Sequence, residues 1–367
     1  CYPSTLHVNR NGNAYFPERA ADRLISRRLA AAGYECGLVG KLHLSSHAKR
    51  VEPFPADQYG YQFVRWNNEP APKDHWPIEK DAYQQWLRRQ GVEWKKAYGR
   101  VQAKNWSLDY PRAVPGGMEA QYHQTTWCAQ EAVEFLGRKH ATPWMLSVHI
   151  FDPHPPFDPP ATNLDRMAVG DMPLPLFRES DRRHQARFTA VEHQTARWGF
   201  RAPGEYAARH MVAAYYAQIE LIDEQVGRIL RSLEGNGHKQ DTIVVFTSDH
   251  GEMLGDHGLV FKGCRFYEGA VRVPLILSWP GRFREGLASP ALVELVDIVP
   301  TLFEAAGMVV PQHVQGKSLL PILRGESGQH RAFVRTEYHD ALGANKSPNN
   351  ANMIFDGTHK LVAYHGQ

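Results

Sequence analysis

The sequence predicts an α/β fold, with a central mixed sheet flanked by helices on both faces and a smaller antiparallel sheet near the C-terminus. Helical stretches alternate with short apolar runs through most of the chain, which is typical of layered α/β proteins. The 367 residues, 43% of them hydrophobic, can bury the core of one large domain or two ordinary ones. Residues 333–338 and 353–364 are predicted to be strands of the smaller sheet.

Four helices are predicted from apolar residues at helical spacing, and three of them are followed by glycine, a common C-terminal cap. They are residues 19–33, 119–138, 205–234 and 291–306.

Short apolar runs predict the strands of the main sheet: Cys36–Gly40, Trp144–Phe151, Thr242–Thr247 and Val273–Trp279. The third run is almost entirely apolar, so we expect it to be buried on both faces of the sheet. Residues 50–117 show weak periodicity and are predicted to be a loop-rich insertion with short helices around 79–98. We expect a main domain over residues 1–325 and the start of a smaller subdomain over 326–367.

The charge balance excludes several classes of partner. The chain has 42 basic and 39 acidic residues, which argues against nucleic acid or a membrane surface as its target. Its apolar runs are all shorter than the roughly 18–20 residues of a membrane span. The 4 cysteines are too few and too scattered for a disulfide framework, whereas the 19 histidines are unusually many.

Both ends of the chain look interrupted. Residue 1 is Cys rather than Met, and Thr358–Gln367 resembles a strand that stops midway. We therefore expect a fragment that is open at both ends.

Asp249 and His250 belong to the segment Ser248–Glu252, which directly follows the apolar run Thr242–Thr247. Ligands of open α/β sheets collect at the carboxyl ends of strands, and adjacent oxygen and nitrogen donors suit a divalent metal. The alternative is a strand-end turn in which Asp249 caps a following helix.

Three further residue groups could bind an oxyanion such as sulfate or phosphate. Lys262 ends a Gly- and His-rich loop, Lys41 and His43 follow a predicted strand, and His154 lies between prolines after another. Fixed cations and imidazoles stabilise charge on such anions. The alternatives are solvated surface charge for the lysines and an ordinary turn histidine for His154.

Several segments together resemble the type I sulfatase family. Gly33–Leu44 is similar to its Gly-Tyr helix end leading into Gly-Lys-x-His, and Thr247–Lys262 to its metal and lysine segment. Tyr216–Gly227 and Val299–Gly307 resemble the helices around the metal strand. The resemblance implies an alkaline-phosphatase-like fold, in the branch that holds choline sulfatases, iduronate sulfatases and phosphonate monoester hydrolases.

The resemblance also implies roles for the candidate residues. Asp249 and His250 would be metal ligands; calcium is the expected ion, with manganese as the alternative because a nitrogen ligand suits it better. The residues that would bind the sulfate or act on the ester are Lys41, His43, His154 and Lys262, with His154 as the general acid. His123 and His257 are weaker candidates.

The family nucleophile is a formylglycine made from Cys or Ser in Cys-x-Pro-Ser-Arg. Cys1–Ser4 fits this pattern superficially, but Thr5 stands where the motif has Arg. Tyr2–Gly12 fits better with the stretch that follows the motif. We therefore expect the nucleophile and two metal-binding aspartates upstream of residue 1, and this fragment alone to be inactive.

The resulting prediction is a sulfuric ester hydrolase that acts on a small-molecule or carbohydrate sulfate. One alternative is a phosphonate monoester or phosphodiester hydrolase of the same superfamily, and another is a non-catalytic anion- or glycan-binding relative. Aromatic residues of the 50–117 stretch could stack on substrate, although packing is favoured for most of them: Trp66, Trp76, Trp94 and Trp106.

Overall fold

The computed structural model describes residues 21–42, 44, 59–70, 78–93, 117–188, 200–339 and 350–365. The chain forms two compact units. Of the described residues, those within 21–178 and 200–237 form the first unit, and those within 179–188 and 238–365 form the second.

The described residues contain helices and strands in alternation. The α-helices are α1 (Ile25–Ala31), α2 (Ala82–Arg89), α3 (Gln124–Leu136), α4 (Ala161–Leu164), α5 (Glu179–Ala186), α6 (Ala208–Gly235), α7 (Glu268–Val271), α8 (Ile298–Ala305) and α9 (Leu320–Leu323). The strands are β1 (Glu35–Gly40), β2 (Phe63–Trp66), β3 (Trp144–His149), β4 (Val244–Thr247), β5 (Leu275–Ser278), β6 (Val334–His339), β7 (Asn350–Phe355) and β8 (Lys360–His365).

The first unit is built on a parallel sheet in the order β2-β1-β3. Gly40 pairs with Trp66 on one side and with His149 on the other, so all three strands end at the same edge. The structure therefore delivers the segments after β1 and β3 to one edge of the sheet, where α/β proteins bind ligands.

The core of the first unit lies where α3 packs on β1, β3 and α6. Leu38, Trp127, Phe135 and Leu221 are completely buried there. Because β1 is covered in this way, its residues from Cys36 to Gly40 are all buried, as a central parallel strand requires.

Strand β2 lies inside the stretch that was predicted to be a loop-rich insertion. It pairs with β1 through Phe63–Trp66, so this part of the stretch belongs to the main sheet. The four-residue run is too short to show the period of a strand, which is why the sequence did not reveal it. Trp66 is buried, in agreement with the packing role that was favoured for it.

The second unit contains two antiparallel sheets, β4-β5 and β6-β7-β8. Phe266 and the β7 residues Ala351 and Met353 form the centre of one buried cluster. The region 353–364, which was predicted as continuous strand, is a β7–β8 hairpin. Its turn is closed by Asp356, whose carboxylate accepts hydrogen bonds from the Thr358 and His359 amides.

The α/β class with a smaller antiparallel sheet at the C-terminus is confirmed. The expected burial of strand 242–247 on both faces is wrong for the described structure: β4 is half-buried in its first two residues and exposed in its last two. Within the described part of the second unit it pairs with β5 alone. The domain boundary near residue 325 stays a prediction.

Among the residues that the structure describes, no helix is both long and apolar enough to cross a membrane. Within the part of the chain that the structure describes, Cys36, Cys128 and Cys264 are buried thiols outside any disulfide.

Candidate functional site

Lys41 follows Gly40, the last residue of β1, and a side chain at position 40 would disturb the backbone there. Gly40 has a φ of +91°, and a Cβ there would lie 2.1 Å from the carbonyl oxygen of His149. The Lys41 amide donates to that same oxygen at 3.0 Å. The imidazole Nδ1 of His149 lies 2.8 Å from the Lys41 carbonyl oxygen. The backbone of Lys41 is therefore held against the end of β3.

Lys41 and His154 meet at the ring of Phe151. The Lys41 Nζ lies 5.0 Å from the ring centroid, and the imidazole of His154 lies 4.6 Å from it, centroid to centroid. The structure thus brings these two predicted site residues to one aromatic side chain. Phe151 itself is 8% exposed and was not singled out from the sequence.

The imidazole of His154 has a defined orientation. Its Nδ1 lies 2.7 Å from the carbonyl oxygen of Pro155, an arrangement in which Nδ1–H donates and the carbonyl accepts. A neutral imidazole then carries its lone pair on Nε2, so Nε2 is the atom that gains or releases a proton. When Nε2 carries a proton, the imidazole can act as a general acid through that atom.

A buried network beneath this site joins the loop after β3 to α3 and α6. One carboxylate oxygen of Asp152 accepts from the Thr125 hydroxyl at 2.6 Å, and the other accepts from the Gln218 amide at 3.2 Å. His123 caps α3 by accepting from the Thr125 amide, and its Nδ1 lies 3.5 Å from Asp152. Burial lowers the pKa of His123, which favours its neutral form.

Gln124 extends the network to β2. Its side-chain oxygen accepts from the Phe151 amide at 3.4 Å, and its nitrogen donates to Asn67 at 3.3 Å. Asn67 in turn donates to the carboxylate of Asp81, which caps α2. Gln124, Asn67 and Asp81 are at most 2% exposed. The sequence offered little signal for them, because polar residues far apart along the chain give no periodic pattern.

Asp249 and His250 form a donor pair after β4. Oδ2 of Asp249 lies 3.5 Å from Nε2 of His250, and the His250 Nδ1 lies 2.9 Å from the Gly251 carbonyl oxygen. A proton fixed on Nδ1 leaves the Nε2 lone pair for a metal. The helix-cap alternative is wrong, because residues 250–255 form no helix. The described residues hold no group of three or more potential metal-binding side chains, so these two supply a partial donor set.

The loop that carries Lys262 is folded around Glu252. The Glu252 carboxylate accepts from the amides of Leu254 (3.2 Å) and Phe261, and the Met253 amide donates to the Phe261 carbonyl at 2.8 Å. Removal from water raises the pKa of Glu252 to about 7, and the Lys262 ammonium opposes that rise. Glu252 was not predicted as a site residue.

His257 belongs to the same loop. It stacks on Tyr267 with a 4.1 Å centroid separation, and its Nδ1 lies 3.3 Å from Asp181 of α5. These contacts attach the loop to the rest of the second unit. The structure therefore gives His257 a packing position.

Several predicted residues lie outside the described residues, so their roles remain predictions. They are Cys1, His43, Trp76, Trp94 and Trp106.

The first unit is thus an α/β unit with a lysine and an imidazole at the carboxyl edge of its sheet, and the second unit carries an Asp–His donor pair. The Sulfatase family model matches residues 2–308, and the model described as N-sulphoglucosamine sulphohydrolase, C-terminal, matches residues 255–367. The chain belongs to the sulfatase family.

Individual relatives agree with this assignment. An arylsulfatase of Clostridium perfringens is 29% identical over 324 residues, covering 86% of this chain and 65% of the relative. An N-acetylglucosamine-6-O-sulfatase of Bacteroides thetaiotaomicron is 43% identical over 126 residues, which cover 34% of this chain and 22% of the relative. The chain spans less than two thirds of these curated relatives.

A solved structure shows the same fold. The phosphonate monoester hydrolase of Agrobacterium radiobacter superposes with a TM-score of 0.73 at 24% identity, covering 100% of this chain and 76% of that chain.

Proposed function

We propose that the full-length protein is a sulfuric ester hydrolase whose substrate is a carbohydrate sulfate. The observation that carries the proposal is the family match over residues 2–308. A relative named N-acetylglucosamine-6-O-sulfatase and the C-terminal family of an N-sulphoglucosamine sulphohydrolase support an amino-sugar sulfate as the substrate.

The proposed metal ligands in this chain are Asp249 and His250. Their ligand atoms lie 3.5 Å apart, a spacing that suits two bonds of about 2.0–2.5 Å to one ion. We propose calcium first and manganese second. When bound, the ion would supply positive charge for an oxygen of the sulfate.

The proposed roles of the other residues follow from their chemistry. Lys41, His43 and Lys262 would bind the sulfate oxygens, where fixed cations stabilise the charge that develops on the ester. His154 would donate a proton from Nε2 to the leaving alcohol, since its Nδ1 is held by the Pro155 carbonyl. The formylglycine expected for the family would supply the nucleophile in the full-length protein.

The test is an assay of the full-length protein on N-acetylglucosamine-6-sulfate, 4-nitrophenyl sulfate and a phenyl phosphonate ester, together with elemental analysis. We expect the highest kcat/KM on a sulfate, and Asp249→Ala to lose both activity and bound metal. Asp241→Ala is the matched control, because Asp241 is an exposed aspartate just before β4 whereas Asp249 lies two residues after the end of β4. A phosphonate preferred by orders of magnitude would refute the sulfatase assignment, and stoichiometric zinc would refute the order of metals.

A further inference from the structure

Thr125 and Asp152 are the centre of the buried network beneath His154. We propose that they are positioning residues: together they set the loop that presents His154, and so control protonation of the leaving alcohol. This inference rests on the proposed function of His154 as the general acid.

The first step is the attachment of the loop. Asp152 lies two residues before His154 and is 8% exposed. Its side-chain oxygens accept hydrogen bonds from two helices: from the hydroxyl of Thr125 on α3 at 2.6 Å and from the amide of Gln218 on α6 at 3.2 Å. Hydrogen bonds in a buried setting of low dielectric constant are strong, so these contacts restrict where the loop can lie.

Phe151 connects the attached loop to the imidazole of His154. The His154 amide donates to the Phe151 carbonyl at 3.1 Å, and the imidazole packs against the Phe151 ring with its plane tilted by 46°. The Phe151 amide is itself bonded to Gln124, next to Thr125 on α3. The first turn of α3 therefore holds the residues on both sides of the Phe151–Asp152 peptide, and His154 packs directly on this anchored segment.

The position of the His154 imidazole determines how efficiently it can transfer a proton to the leaving group. A general acid works only within hydrogen-bond reach of the oxygen that it protonates, so a small displacement of the imidazole reduces proton transfer. The loss depends on the leaving group. A nitrophenolate leaves without help from a proton, whereas an alkoxide of a sugar does not.

The chain offers a matched pair of variants for the test. Thr125 and Thr126 are neighbours on α3, and both hydroxyl oxygens are buried, but none of the described residues forms a hydrogen bond with the Thr126 hydroxyl. Thr125→Val removes the bond to Asp152 with little change of shape, Thr126→Val makes the same change where no bond exists, and Thr125→Ser keeps a hydroxyl.

The experiment measures kcat and KM of these variants of the full-length protein on N-acetylglucosamine-6-sulfate and on 4-nitrophenyl sulfate. We expect Thr125→Val to lower kcat on the sugar sulfate about tenfold with little change in KM, and to change the nitrophenyl reaction less than about twofold. Thr126→Val should match the wild type, and Thr125→Ser should restore most of the rate.

A general loss of structure would lower both reactions equally, and that result, or equal behaviour of Thr125→Val and Thr126→Val, would overturn the inference. Nitrogen-15 NMR of the histidine side chains gives a readout that does not require turnover: the His154 signals should shift in Thr125→Val and stay unchanged in Thr126→Val. A wild-type protein that hydrolyses no sulfate ester would refute the proposed function, and the NMR comparison would then still decide whether Thr125 positions His154.

Discussion

The loop after β3 and the loop after β4 carry candidate site residues, but different contacts hold them. The loop with His154 is anchored from outside, by buried side chains of α3 and α6. The loop with Lys262 is folded on itself, around the carboxylate of Glu252 and backbone bonds such as that from the Gly255 amide to the Leu259 carbonyl.

The backbone shows the same difference. The second loop contains three non-glycine residues with positive φ: Leu254, His257 and Phe261. Such conformations cost free energy and persist only where the surroundings impose them. The first loop obtains its shape from distant helices, whereas the second needs an internal acceptor to hold unfavourable conformations. Substitutions that remove one type of support should therefore affect one loop and spare the other.

The largest loss of stability is expected from a substitution of Gly40, the last residue of β1, which precedes Lys41. Gly40→Ala would place a Cβ 2.1 Å from the His149 carbonyl oxygen in addition to the cost of a positive φ. We expect a loss of about 4 kcal/mol in the free energy of unfolding. Gly33→Ala is the control, because Gly33 has the same φ of +91° but nothing within 4 Å of the added Cβ. Its cost should be about 1 kcal/mol. Equal losses in urea unfolding would contradict the steric explanation.

A smaller effect is expected in the second loop. Glu252→Ala would leave the Leu254 and Phe261 amides without their acceptor, at a cost of about 2–3 kcal/mol. Glu252→Gln keeps a side-chain oxygen and should cost less than about 1 kcal/mol. Hydrogen exchange of those two amides should accelerate in the Ala variant alone. Faster exchange in the loop after β3 as well would show that the two loops do not depend on separate supports.

A gradual, pH-dependent effect on stability is expected at the outer end of the first network. Burial raises the pKa of Asp81 to about 7. The folded state therefore binds a proton that the unfolded state releases near its ordinary pKa of 3.8, and stability falls as the pH rises between these two values. The slope should reach at most about 1.4 kcal/mol per pH unit. Asp81→Asn keeps the cap of α2 and should remove this slope.

Unfolding by urea at several pH values tests this expectation. The free energy of unfolding of Asp81→Asn, relative to that of the wild type, should increase from pH 5 to pH 7 and stay constant above pH 7. The exposed Asp241 provides a control variant, Asp241→Asn, which should retain the slope of the wild type. A pH-independent difference for Asp81→Asn would contradict the raised pKa.

The sequence predicted those parts of the molecule that depend on local patterns. Helix α6 and strands β1 and β3 follow from periodicity and glycine positions, and so does the presence of strand near the C-terminus, whereas the turn between β7 and β8 was not predicted. The positions of Lys41, His154 and the Asp249–His250 pair at strand ends also followed, because a strand end is visible as the border of an apolar run. Strand β2 was missed because four residues carry too little pattern.

The sequence by itself determined the chemical groups that follow the strands. A lysine follows β1, an imidazole follows β3, and a carboxylate beside an imidazole follows β4. Only the tertiary structure decided what holds them. Thr125, Gln218 and Asp152 lie up to 93 positions apart, yet their side chains bond to one another because α3 and α6 pack together. Buried polar groups form hydrogen bonds with whichever polar groups the fold places beside them. These neighbours are distant along the chain, so no local sequence pattern predicts them.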